Sequence, residues 1–297
     1  MAKRFLIVNY HYVEDQRDDR KGIWPCAVDE FERQIKYLSE NYKIVSVGDV
    51  YEAAQRHDKN KFAAITFDDG LKDQYQNAIP ILKKYGATAA FFPITGTLDG
   101  KYIPATHKIH LLLSRFDIKE LINQFIKSFP QYYIPTDGSR INKERRLFEE
   151  ANIANFKERL LSVPLPLKKE FLGSLRLEDE EQSVRELFLS RDELKELGKE
   201  GFAVGCHSHL HDAFLNGDDD GIKKDVRMSK SILAEILGVN PLIFSYPNGR
   251  YNDSVIRVLK NEGFKYAFDI EARAVEKGDD PFKIPRLDTN DIKKMIQ

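Results

Sequence analysis

The chain has 297 residues, 42% of them hydrophobic and 31% charged, with a net charge of −1. That balance fits a globular fold with a sizeable core, and near-neutrality offers no general attraction to nucleic acid or to an anionic membrane. The 2 cysteines, Cys26 and Cys206, make no disulfide framework, and no stretch approaches the roughly 20 apolar residues of a membrane span.

Met1 to Tyr10 is basic and then apolar. The apolar run is too short for a secretory leader and no small-residue cleavage site follows, so a cytoplasmic location is expected. Phe5 to Asn9 reads instead as a first strand, which places His11 at a strand C-terminus. Helical spacing follows from Val28 to Tyr42. A short strand is expected at Ile44 to Val47, then a helix at Val50 to Arg56. The apolar run Phe62 to Ile65 reads as a buried strand running into Thr66-Phe67-Asp68-Asp69-Gly70. Asp73 to Tyr85 reads as a helix that Pro80 kinks, and Ala87 to Pro93 as another strand. Strands alternating with helices argue for parallel βα units.

The rhythm then changes. Between about Thr97 and Leu189 the apolar residues recur at helical spacing, through Ile109, Leu112, Leu113 and Phe116, then Leu121, Ile122 and Phe125, then Leu147, Phe156 and Leu160. This predicts a helical subdomain at residues 98–189, inserted into a fold formed by residues 1–97 and 190–297. Such an insertion can act as a lid or shape a cleft, or serve as a plain insertion or dimer surface. His107 and His110 stand at its start, as surface histidines of a helix or as groups reaching a site.

Regular alternation resumes at Ser190 and Glu193, which make a capping box. Gly201 to Cys206 reads as a strand entering His207-Ser208-His209-Leu210-His211. Ile222 to Leu237 is amphipathic, Leu242 to Tyr246 reads as a strand, and Asn252 or Asp253 caps a further helix. Lys265 to Ile270 and Ile284 to Leu287 supply the last strands. The fold class expected is α/β, as an irregular (β/α) barrel.

Two stretches carry chemistry. Asp68 and Asp69 lie side by side at a strand end, an arrangement that is costly unless a cation or a proton separates them. Three of the 7 histidines fall within five residues. His207 and His211 share a face in a helical or an extended segment, whereas His209 joins them only in an extended one. Two imidazoles and a carboxylate leave open positions on a divalent metal, as catalytic zinc requires. Cys206 is a thiolate candidate or a core residue.

Thr66 to Gly70 followed by His207-Ser208-x-x-His211 resembles the polysaccharide deacetylase family, the NodB-homology domain of carbohydrate esterase family four. The resemblance spans roughly residues 1–97 and 190–290 and implies the NodB-type barrel. It implies Asp68 as catalytic base, and Asp69, His207 and His211 as ligands of a divalent metal, expected to be zinc. Ser245-Tyr246-Pro247-Asn248-Gly249 stands where the family has Arg-x-Pro-Tyr-Gly, so Ser245 replaces the arginine that orients the base. The backbone N–H of Asn248 is then the oxyanion donor. The family's Asp-x-x-Asp-Trp and Leu-x-Leu-His motifs are not matched; the one Trp is Trp24. His11, Asp288 or a water is therefore expected to protonate the leaving amine, and Arg286 to replace the missing arginine.

The reaction so implied is hydrolysis of an N-acetyl group on an amino sugar by a metal-bound water. With a cytoplasmic location, a lipid- or nucleotide-linked glycan precursor is the expected substrate. Removal of a formyl group, hydrolysis of a small amide, and a catalytically silent glycan-binding protein are the alternatives.

Overall fold

A computed structural model describes residues 4–17, 20, 22–143, 146, 149–211 and 218–296. The chain divides into two compact units, one of residues 1–15, 25–102 and 181–297, the other of residues 16–24 and 103–180.

The first unit is built on parallel strands: β1 (Phe5–Tyr10), β2 (Lys43–Ile44), β3 (Phe62–Asp69), β4 (Ala90–Pro93), β5 (Ala203–Val204), β6 (Ile243–Ser245), β7 (Tyr266–Phe268) and β8 (Leu287–Asp288). β3 pairs along its length with β1, and on its other edge with β2 at its start and β4 at its end. β4 continues to β5, while β1 pairs with β8 and β6 with β7. Two parallel bridges, Cys206 to Phe244 and Phe268 to Ile284, link these pieces into a ring. The result is the expected irregular barrel of the NodB type, with every C-terminal strand end on one rim. The strand at Gly201 to Cys206 is shorter than expected because its ladder changes partner: the Gly205 N–H still donates to the Phe91 carbonyl, whereas the Cys206 N–H donates to that of Ile243. Gly205 fits the crossing, since a Cβ there would lie 2.5 Å from the Phe92 ring.

Strand alternation sorts the core. Leu6, Val8, Tyr10, Ile65, Phe67 and Phe91 belong to a cluster shared with helix residues Phe31, Ile35 and Leu82. Phe5, Ile7, Ala64, Ala90, Phe92, Phe268 and Ile284 form another, on the inner face. The Phe92 and Phe268 rings touch there at 5.5 Å between centroids. Following that inner face toward the rim, Phe5 and Ile7 give way to Asn9, and Ala64 to Thr66 and Asp68. The barrel thus fills with apolar side chains below and turns polar at the strand ends.

Around the barrel lie α1 (Val28–Asn41), α2 (Val47–Gln55) and α3 (Ile79–Lys84). The helix expected from Asp73 is divided: a π-helical turn at Gln74–Ala78 precedes α3, and Pro80 sits in the first turn of α3, where its missing N–H costs no helical bond. The second unit contains α4 (Ala105–Arg115), α5 (Ile118–Ser128), α6 (Ala151–Ser162) and α7 (Leu165–Ser174) around Leu112, Leu121, Phe125, Phe156, Leu160 and Phe171. It holds no strand among the described residues. Leu147, read as part of its apolar stripe, lies outside the described residues. The strip 16–24, assigned to the barrel from sequence, groups with this helical unit. His107 is buried rather than on a helix surface and stacks edgewise on His110 at 5.9 Å.

The chain returns to the barrel through α8 (Glu180–Leu187). Then come α9 (Arg191–Lys199), with the Ser190–Glu193 capping box formed, α10 (Asp219–Leu237), α11 (Asp253–Asn261) capped by Asn252, and α12 (Thr289–Ile296), which the sequence pattern did not reveal. No helix among the described residues is long and apolar enough to cross a membrane.

Candidate metal centre and active site

The end of β3 presents both carboxylates. Strict alternation would send Asp69 to the face opposite Asp68, but Asp69 leaves extended geometry with φ 73° and Gly70 follows at φ 70°. Gly70 is required twice over, since a Cβ would sit 2.6 Å from that of Pro93. The turn brings Asp69 Oδ1 to 3.4 Å from His207 Nε2 and 3.8 Å from His211 Nε2.

The histidine segment is neither strand nor helix. Ser208 and His211 take positive φ, 63° and 51°, and the Ser208 hydroxyl accepts the His211 N–H at 2.6 Å. Asp225, on α10, accepts the N–H groups of His209 and Leu210, each at 2.8 Å. The Gly96 N–H donates to the His209 carbonyl, and the Tyr102 hydroxyl to that of Leu210. This clamp turns the outer imidazoles together, with ring centroids 5.1 Å apart. His209 is directed away and its Nδ1 bonds Thr95 instead.

Asp69, His207 and His211 are buried, and one donor atom from each lies within 4.8 Å of the others. Tetrahedral bonds near 2.0–2.2 Å put donors about 3.3–3.6 Å apart, close to the 3.4 and 3.8 Å between Asp69 and the two imidazoles. His207 Nδ1 meets the Ser245 carbonyl at 2.9 Å, which fixes the proton on Nδ1 and leaves the Nε2 lone pair facing Asp69. The donor set therefore fits a divalent cation. Burial disfavours a charged His207, but Asp68, Asp69 and the Ser245 carbonyl outweigh it and raise its pKa. In the metal-free protein a proton does part of a cation's work. Cys206 does not join the site. It is fully buried in the core, and burial pushes its thiol up to about 12.

Asp68 sits in a separate web. Arg286 Nη1 donates to Oδ1 at 2.9 Å and Nη2 to Oδ2 at 2.7 Å, while Asn9 Nδ2 and Ser245 Oγ each donate to Oδ2 at 3.0 Å. Arg286 also bonds Asn9 Oδ1, Ser245 Oγ and the Asp269 carbonyl. Its guanidinium lies over the Phe92 and Phe268 rings, 6.0 and 5.8 Å from their centroids. Burial alone would raise the Asp68 pKa; the charges of Arg286 and His207 and the Arg286 hydrogen bonds reverse that and hold it at about 2. Asp68 is ionised across the physiological range.

The remaining candidates separate. His11 is exposed at the end of β1, close enough to help lower the Asp68 pKa, and its carbonyl accepts from Gln74. Asp288 is taken up elsewhere: its Oδ1 accepts the Asn290 N–H and side-chain amide at the start of α12. Asn248, at φ 55°, lies in the turn after β6. That turn is closed by Gly249 N–H to the Tyr246 carbonyl and Arg250 N–H to the Pro247 carbonyl, which leaves the Asn248 N–H out of its hydrogen bonds.

Asn9, Gln74, Asp225 and the Ser245 side chain were not singled out from sequence. Gln74 Nε2 spans the His11 and Asp68 carbonyls at 3.0 and 2.6 Å, joining two rim strands. Asn9 carries a faint signal, as a polar residue two positions beyond Ile7 on the inner face. Asp225 carries none.

The family model described as polysaccharide deacetylase matches residues 55–124 and 171–267. A poly-beta-1,6-N-acetyl-D-glucosamine N-deacetylase of Staphylococcus aureus is 31% identical over 298 residues, covering 97% of this chain and 75% of that protein. Its namesake from Staphylococcus epidermidis is 30% identical over 109 residues, 33% of this chain and 37% of that protein. Among solved structures, the Streptococcus pyogenes deacetylase PplD in complex with acetate aligns with TM-score 0.64 at 17% identity, over 99% of this chain and 98% of that one. IcaB from Ammonifex degensii aligns with TM-score 0.64 at 18% identity, over 100% and 97%. These two show a shared fold. With the family model spanning more than half of the chain and the S. aureus relative nearly all of it, the chain belongs to the polysaccharide deacetylase family and is a glycan N-deacetylase.

Proposed function

We propose that the chain hydrolyses the N-acetyl groups of a β-1,6-linked N-acetylglucosamine polymer, with Asp68 as general base. The observation that carries the assignment of roles is the pairing of two buried sites: an ionised carboxylate locked by Arg286, and a three-donor set two residues of which flank Ser208–Leu210. The choice of polymer is supported by the substrate named for the staphylococcal relatives.

Asp69, His207 and His211 would hold the cation, with zinc favoured by a two-imidazole, one-carboxylate set that leaves open positions. When bound, it supplies a polarised amide carbonyl and a water acidic enough to give up its proton near neutral pH. Asp68 accepts that proton. Arg286, Asn9 and Ser245 hold its carboxylate in place, so both oxygens are oriented before substrate arrives. The Asn248 N–H is the donor for the oxygen that becomes negative as water adds to the carbonyl. The leaving amine must gain a proton as the C–N bond breaks. His11, at the rim, is favoured over Asp288, whose carboxylate already holds Asn290.

Release of acetate from β-1,6-linked N-acetylglucosamine oligomers by the zinc-loaded chain tests this reading, with lipid- and nucleotide-linked N-acetylated sugars and N-formyl analogues as parallel substrates. A chain that holds metal and releases acetate only from the linked precursors would overturn the polymer assignment.

A further inference from the structure

The helical unit carries a cavity of about 570 Å³, within the ~300–1,000 Å³ range of ligand pockets. Gln16, Arg17 and Trp24, the α4–α5 corner, and Glu149, Glu150 and Ile153 form its walls. Trp24, 57% exposed, stands at it beside Phe116. Around them are Gln16, Arg17, Glu149 and Glu150, planar groups that supply both donors and acceptors.

The wall is built rather than incidental. Lys157 is 4% exposed, and its ammonium donates to the Gly22 carbonyl at 2.7 Å and to Glu149 Oε1 at 2.9 Å. One buried cation therefore ties the Trp24 strip to the opposite wall. Burial in turn lowers the pKa of this lysine to about 8, against the pull of Glu149. Gly22 permits the approach: a Cβ there would meet the His110 carbonyl oxygen and the Leu113 Cβ at 2.8 Å each. Glu149 Oε2 is buried at this wall with no hydrogen-bond partner among the described residues.

We propose that this cavity is a second glycan-binding site, which takes amino-sugar units of a chain by stacking a pyranose on Trp24. A pyranose presents an apolar C–H face to an indole and a ring of hydroxyls that both donate and accept, which matches an exposed aromatic ringed by amide, guanidinium and carboxylate groups. The Glu150 carboxylate, exposed at the cavity, accepts one such hydroxyl. Leu113, Ile118 and Ile153 add aliphatic surface, so the lining pairs apolar side chains with the charged Arg17, Asp117, Glu149 and Glu150, as the C–H face and the hydroxyls of a pyranose require. The proposal rests on the glycan reading above. A polymer held at the cavity stays with the enzyme, so long chains gain effective concentration at the site of hydrolysis and short ones do not.

Trp24 is the only tryptophan in the chain, so its emission reports on the cavity alone. Titrating the metal-loaded protein with β-1,6-linked N-acetylglucosamine oligomers, and with their de-N-acetylated forms, should shift that emission to shorter wavelength and saturate. Trp24→Ala should raise KM for long oligomers roughly tenfold, leaving kcat and turnover of short substrates unchanged, and Trp24→Phe should restore most of the loss. Emission insensitive to every oligomer, or an unchanged KM for long chains in Trp24→Ala, overturns the proposal. The titration needs no turnover. Acetate release with a silent Trp24 therefore rejects the second site alone, whereas absent acetate release rejects the substrate reading.

Discussion

Arg286 grips Asp68 through two parallel hydrogen bonds, Nη1 to Oδ1 and Nη2 to Oδ2, from 218 residues further along the chain. In the family's third motif an arginine at the position of Ser245 does this work. Here the guanidinium comes from the segment entering β8, and the small Ser245 side chain leaves room for it while bonding both partners. The two positions are coupled, so substitutions at them should not be independent.

Arg286→Lys tests the grip. Lysine keeps the charge but not the paired geometry, so kcat should fall while metal content stays at one ion per chain. Arg286→Met removes the charge and leaves a buried carboxylate without its main counter-ion. That should cost about 3–5 kcal/mol of stability and raise the Asp68 pKa from about 2. The acid limb of kcat/KM should then move to higher pH. A pH–rate profile that superimposes on the wild type would show that Arg286 does not tune the base.

Asp68→Asn should lower kcat by about 10²- to 10⁴-fold, because an amide cannot accept the water proton. Asp69, His207 and His211 are untouched, so metal content should be unchanged. Near-normal acetate release would remove Asp68 from the role of base.

Ser245 serves the two halves of the site through different atoms. Its hydroxyl donates to Asp68 and its backbone carbonyl holds His207. Ser245→Ala deletes only the hydroxyl. Loss of one buried hydrogen bond is worth roughly 1 kcal/mol, so turnover should fall about fivefold with metal affinity unchanged. An equal fall in metal affinity would mean that the side chain also positions His207.

These contacts mark what could be read from the sequence. Asp68, Asp69, His207 and His211 were visible because each pair lies within one short segment, where spacing alone fixes relative direction. The convergence of the outer histidines was legible, but the choice for His209 was not. It depends on positive φ at Ser208 and on Asp225, which is 16 residues beyond His209 and holds it through the backbone. Arg286 was a guess from sequence because its partner is so distant in the chain. Asp288 looked equally suited until the start of α12, which no apolar pattern announces, took up its carboxylate. The barrel strands were read from apolar runs. The assignment of 16–24 to the helical unit depends on tertiary packing of Gly22 on α4, which no local pattern encodes.

Protons and metal should compete visibly in thermal unfolding. Metal-free His207 has a raised pKa. The stability it contributes is fully present below its ordinary value near 6.5 and is lost as pH rises through the raised value. Asp68 behaves oppositely. Its pKa is depressed to about 2, so its contribution, about 2–3 kcal/mol for a shift of this size, is present above about pH 4 and lost only as pH falls toward 2. The Asp68 contribution is thus constant over the range in which His207 loses its proton. A bound cation needs the neutral imidazole, so loading should release a proton and become more favourable as pH rises. The difference in Tm between zinc-loaded and chelator-treated protein should therefore widen from pH 6 to pH 8. Asp225→Asn, which weakens the clamp on the histidine segment without touching a ligand, should lower metal affinity about 10- to 100-fold at every pH while preserving that trend. A Tm difference independent of pH would mean that His207 does not exchange its proton for the metal.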